Sequence, residues 1–151
     1  MCIRDSPCTV HAGEVCGPES VWDAINNLPM ISRIGHGVRR SEHAELIKTL
    51  ANRKISLEIC PGSNLALDLY PDWESHPLNH ILESGISISL NSDDPPYFDT
   101  SIGKEYQNGF EHFNLDLKQL LQISHMAMES SFVDTKTKAN LIKQINEWSI
   151  D

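Results

Sequence analysis

Basic charge is scarce in this chain of 151 residues: 12 lysines and arginines stand against 21 aspartates and glutamates, a formal net charge of −9. The acidic residues are spread along the chain, and such a field repels phosphate backbones and anionic lipid. Nucleic acid and membrane surfaces are therefore not expected partners. No apolar run approaches the ~20 residues of a membrane-spanning helix. The opening "MCIRDSPC" has no apolar core of the kind a secretory leader carries. Cysteine is sparse as well. Cys2, Cys8, Cys16 and Cys60 form no CxxC pair and no disulfide framework, which points to a reducing, cytoplasmic setting. Repeats and low-complexity tracts are lacking too. What remains is globular: 40% hydrophobic and 22% charged, at a length that suits one domain or a piece of a larger one.

Short apolar runs alternate with amphipathic stretches along the chain. "CTV" leads to His11, and Pro18 then opens a helix through "ESVWDAINNL", proline being tolerated in a first helical turn. "SRIG" is a strand ending at His36. Ser41 is an expected N-cap for "EHAELIKTLANR", whose Ala44, Leu46, Ile47, Leu50 and Ala51 share a face. "ISLEIC" is a third strand closed by "PGSN", and "HPLNHILESG" a short helix ending at Gly85. "ISISL", a fourth strand, runs into "NSDDPP". Three helices follow, around 104–113, 115–128 and 134–148, with Lys136, Lys138 and Lys143 on the solvated side of the last. Strand alternating with helix four times predicts parallel βαβ units in an α/β fold.

The polar residues fall in phase with this alternation. His11, His36, Cys60 and Asp93 each sit just past a strand, 25, 24 and 33 residues apart, near the ~30 of a βαβ unit. Loops at the carboxyl ends of parallel strands carry the chemistry of such folds. The loops read "HAGE", "GHG", "CPGSN" and "NSDDPP". His11 and Asp93 are ligand types suited to a catalytic zinc, which lowers the pKa of a coordinated water to ~7. Glu14, beside His11, is a candidate proton shuttle. His36, between Gly35 and Gly37, has room to orient a reacting group. Asp93 and Asp94, on an extended strand end, would point in different directions.

Blander readings stand beside these. A lone HxxE is more often a surface or capping pair, and "SDDPP" is a good turn by itself. His43, His76, His80, His112 and His125 lie in or beside expected helices and read as structural. Cys16 and Cys60 read as small packing residues, and Trp22, Trp73 and Trp148 as packing anchors.

Taken in order, "HAGE", "RIGHG", "CPGSN" and "SLNSDDP" resemble the adenosine deaminase family of zinc-dependent amidohydrolases, over nearly all of the chain from Cys8. The resemblance implies the C-terminal half of a TIM-like (β/α)8 barrel, four βα units followed by helices. It implies His11 and Asp93 as zinc ligands, Glu14 as proton donor to the purine ring, His36 beside the attacking water and Asp94 as a hydrogen-bond partner of the base. The implied reaction converts adenosine to inosine and ammonia. Adenine deaminase, or a relative acting on the same aminopurine group, is the alternative, and a non-catalytic α/β binding module or a small self-folding metal module the readings of another class.

The family's first strand carries an HxH pair supplying two further zinc ligands, and no HxH occurs here. Residues 1–7 are accordingly expected to be a non-native or truncated leader, and residues 8–151 the C-terminal part of a deaminase barrel. The chain alone is expected to bind zinc weakly, to turn over little and to expose an aggregation-prone inner face. In a flat sheet, strands ~4.8 Å apart would leave the first and fourth ~14 Å from one another, so barrel curvature is expected to bring His11 to Asp93.

Overall fold

The computed structural model describes residues 6–40 and 43–148. Most of the expected leader (residues 1–5) and the expected cap at Ser41 lie outside the described residues. Among these residues four parallel strands run in sequence order: β1 (Cys8–Ala12), β2 (Ile31–His36), β3 (Ser56–Ile59) and β4 (Ile88–Leu90). Among the described residues eight helices connect and follow them: α1 (Pro18–Asn27), α2 (Ala44–Asn52), α3 (Pro61–Ala66), α4 (Leu78–Glu83), α5 (Pro95–Phe98), α6 (Ile102–Phe113), α7 (Leu117–Ser130) and α8 (Thr135–Glu147), with a 3-10 turn at Val38–Arg40. No helix among the described residues is long and apolar enough to cross a membrane.

The register explains how one strand sequence serves two faces. Val10, Ile34, Leu57 and Ile88 are mutual partners across the sheet, and so point to one side. Ile34, Leu57 and Ile88 are fully buried there, within a core that includes Leu46, Leu50, Leu78 and Ile81 from the helices. The next row is His11, Gly35, Glu58 and Ser89, and it faces the other way. Further down that face Thr9 donates to Glu58 at 2.6 Å, Arg33 lies 3.3 Å from the same carboxylate, and Phe132 covers the Arg33 guanidinium at 3.8 Å. This row of the inner face is therefore a polar network.

Other departures are local. "PGSN" is not a closing loop: β3 ends at Ile59, Cys60 is the N-cap and Pro61 starts α3, because proline fits the first helical turn and leaves no donor unpaired. The segment after β4 is not extended either, since Asp93 is left-handed (φ 55) and α5 follows at once. Ala44 and Ala51 are exposed, so the buried stripe of α2 narrows to Leu46 and Leu50 with Ile47 at its edge. Cys16 is exposed, not packed. Trp22 and Trp73 do pack on the core, but Trp148 is 56% exposed at the end of α8. The last two helices start where their caps dictate: Asp116 and Gln119 form a capping box for α7, and Asp134 caps α8 through Lys136 and Thr137.

Leu57 is fully buried at the centre of the sheet. Leu57→Ala is expected to cost about 2–5 kcal/mol, read as a lower urea midpoint with an unchanged slope.

Candidate active site

The carboxyl ends of β1, β2, β3 and β4 meet at one cleft of about 350 Å³, lined by His11, His36, Glu58, Cys60, Asn91 and Asp93 among others. The ligand atoms of His11, His36 and Asp93 all lie within 4.8 Å of one another. Curvature across only four strands is thus enough to join His11 to Asp93, where a flat sheet would hold them apart. The donor set fits a divalent metal. Bonds of ~2 Å place two ligands of one ion at most ~4 Å apart, so slight tightening suffices, and imidazole with carboxylate is a usual zinc set.

Backbone detail aims these groups. By strand alternation His36, partnered with Ala12, belongs to the helix side of the sheet. Its left-handed conformation (φ 63) turns it toward the cleft instead, where it is 2% exposed. Its flanking glycines have separate reasons. A Cβ on Gly35 would lie 3.3 Å from the His11 ring, and one on Gly37, itself at φ 68, would lie 2.8 Å from Leu57. The space beside His36 therefore belongs to His11 and the core. The β1 and β2 ends are tied by Gly37 N–H to Ala12 O (2.9 Å) and by Arg39, whose backbone N–H bonds Gly13 O and whose Nε bonds Glu14 O. That holds Glu14 Oε1 3.5 Å from His36 Nε2, with Asp93 Oδ2 at 3.9 Å.

Of the five residues singled out from the sequence, His11, Glu14, His36 and Asp93 converge. Asp94 does not join them: it is exposed at the start of α5 and caps it with no side-chain bond. Several participants carry no sequence signal of their own. Asn64 and His76 are 0% and 4% exposed. Asn64 Nδ2 lies 3.4 Å from His36 Nδ1, and Asn64 Oδ1 lies 3.1 Å from His76 Nε2. The Leu78 N–H donates to His76 Nδ1 at 3.2 Å. Glu105, fully buried on α6, accepts from Gly62 N–H (2.9 Å) and from Thr100 Oγ1, fastening α3 beneath the loop that carries Asp93. The only cue to Asn64 was its place in "CPGSN"; His76 had none.

Burial lowers the pKa of His36, against the raising effect of Glu14 and Asp93. Burial alone takes His76 down to about 4.

A family model described as Adenosine deaminase matches residues 2–148. The chain belongs to the adenosine deaminase family. It is 45% identical over 139 residues to an adenine deaminase of Agrobacterium fabrum, covering 92% of this chain and 42% of that protein. The crystal structure of an adenine deaminase from Arthrobacter aurescens superimposes with a TM-score of 0.89 at 27% identity, over 94% of this chain and 43% of that one. A Burkholderia ambifaria amidohydrolase with bound Zn superimposes at 0.82, also 27% identical, over 93% of this chain and 40% of its own. The four βα units are thus an α/β partial barrel, and the chain spans about 42% of the length of the curated relatives it matches.

The His76 environment sets a pH dependence. Between pH 6.5 and about 4 the unfolded chain binds a proton at His76 that the folded chain refuses. Its contribution to stability is whole above pH 6.5, declines as pH falls and levels off below about 4; at ~1.4 kcal/mol per pH unit the loss is roughly 3 kcal/mol. Urea midpoints at pH 7 and pH 4.5 should fall further in wild type than in His76→Gln.

Proposed function

We propose that this chain supplies the metal-binding and proton-transfer half of an aminopurine deaminase, and that the base is adenine. The observation that carries the reading is the convergence of His11, His36 and Asp93 donors within 4.8 Å, with Glu14 against His36. The choice of adenine over the adenosine first expected from sequence rests on the adenine deaminases that this chain resembles at 45% identity.

His11 and Asp93 would hold the metal, zinc by the precedent of the zinc-bound relative. A zinc ion held there would acidify a water for attack on the ring carbon that bears the amino group. Glu14, half-buried between the β1 and β2 ends, donates a proton to the adjacent ring nitrogen, so that the ring accepts the electron pair of the incoming oxygen. The same carboxyl group, recharged from the attacking water, protonates the leaving amine. Water and adenine give hypoxanthine and ammonia. His36 faces the reacting centre through Nε2, and Asp94, exposed at the rim, is the candidate for holding the edge of the base.

The test is ammonia release by the purified enzyme carrying this chain, loaded with zinc and offered adenine and adenosine in parallel. Turnover on adenine well above adenosine is expected; preference for adenosine would return the substrate to the nucleoside, and activity on neither would sink the reading. Glu14→Gln should lower kcat by ~10²–10⁴ while retaining zinc, measured by metal analysis of the dialysed protein. A chelator should abolish turnover, and added zinc should restore it.

A further inference from the structure

His36 offers two ring nitrogens, and which one carries the proton decides whether it donates or accepts at the cleft. One nitrogen of the buried chain behind it is unambiguous. The backbone N–H of Leu78, an otherwise unpaired donor at the first turn of α4, can only donate, and it points at His76 Nδ1 at 3.2 Å. His76 Nδ1 must then be the bare, accepting nitrogen, so the ring proton sits on Nε2. That Nε2–H donates to the atom 3.1 Å away, which is therefore the Asn64 oxygen. With its oxygen turned to His76, Asn64 presents its amide N–H to His36 Nδ1 at 3.4 Å. His36 Nδ1 accepts, and the proton of the neutral ring is on Nε2, facing Glu14 and Asp93.

We propose that Asn64 and His76 are positioning residues that lock the tautomer of His36, so that it presents an N–H and not a lone pair to the reacting centre. The consequence divides the metal cluster. A neutral imidazole protonated at Nε2, with Nδ1 occupied by Asn64, has no free lone pair for a cation. Of the three clustered side chains, His11 and Asp93 bind the metal and His36 serves as a donor. Independent packing holds the chain of bonds in place: the His76 ring lies edge-on between Tyr70 (4.9 Å) and Phe113 (5.4 Å). Asn64 is rooted in α3, which Glu105 anchors through Gly62. Because the His76 environment keeps its ring neutral down to about pH 4, the polarity of the chain does not reverse at neutral pH.

The catalytic meaning of this tautomer rests on the deaminase reading, but the tautomer itself does not. Long-range 1H–15N correlation spectra of the labelled chain report which ring nitrogen of each histidine is protonated, without metal or substrate. The expected spectrum at neutral pH has His36 and His76 both protonated at Nε2. Asn64→Asp replaces the donor facing His36 by an acceptor and should move the His36 proton to Nδ1. His76→Phe, which keeps the ring packing and frees the Asn64 amide to turn, should yield a mixture of His36 tautomers. His36 protonated at Nδ1 in the wild-type chain, for which no variant need fold, would overturn the proposal, as would an unchanged His36 tautomer in a folded Asn64→Asp chain. In the zinc-loaded enzyme His76→Phe should lower kcat ~10–100-fold with KM little changed, and His76→Gln, which retains an N–H toward Asn64, should recover much of it. Failure to deaminate adenine with the wild-type tautomers as expected would remove the deaminase reading alone.

Discussion

The site depends on one backbone turn. His36 ends its strand on the face where alternation points side chains into the core, and only its left-handed conformation brings the imidazole to the cleft. Such a conformation costs a non-glycine residue ~1–3 kcal/mol and persists only where its surroundings over-determine it. Here they do. The peptide after it is bonded to Ala12 O, Gly37 accepts a positive φ without a side chain, and the ring is buried with a partner on each nitrogen. Asp93 repeats the device at the end of β4, also left-handed, so that both strained residues of the cluster aim at one point.

A rigid turn needs a rigid base, and buried polar groups build it. Asn64, His76 and Glu105 are each almost wholly removed from water, and each has partners for that reason. Deleting one would leave the others with unpaired donors or acceptors, at ~1–3 kcal/mol per group. The three also link separate stretches of chain: α3 to β2, to the turn before α4, and to α6. Helices that look like connectors in the chain order thereby become the supports of the loops around the cleft.

Periodicity made the strands and most helices legible, because a core facing one way imposes alternation on strands and a stripe on helices. The phase of His11, His36 and Asp93 with those strands located the cleft. What stayed hidden depends on pairings that no local pattern encodes. His76 meets Asn64 across 12 residues and Asn64 meets His36 across 28, so His76 reads like any histidine before a helix. "PGSN" looked like a loop because its turn residues also suit a helix start. Asp93 and Asp94 were expected to point apart from an extended strand end; it is a left-handed turn at Asp93 that separates them, leaving Asp94 exposed at the start of α5.

Cys60 lines the same cleft, but its surroundings disfavour a thiolate. Burial first, and then the carboxylates of Asp93, Glu105, Glu58 and Glu14, push its thiol far above the ordinary range. A thiol so placed is held protonated at neutral pH, the opposite of the surroundings of a reactive cysteine. The same negative field acts in the opposite sense on a cation: two unit charges 4 Å apart near a protein surface interact by ~4 kcal/mol, and Glu14, Glu58 and Asp93 all face the cleft or its rim. The carboxylates that help burial to keep the thiol protonated thus also favour a divalent ion beside His11 and Asp93.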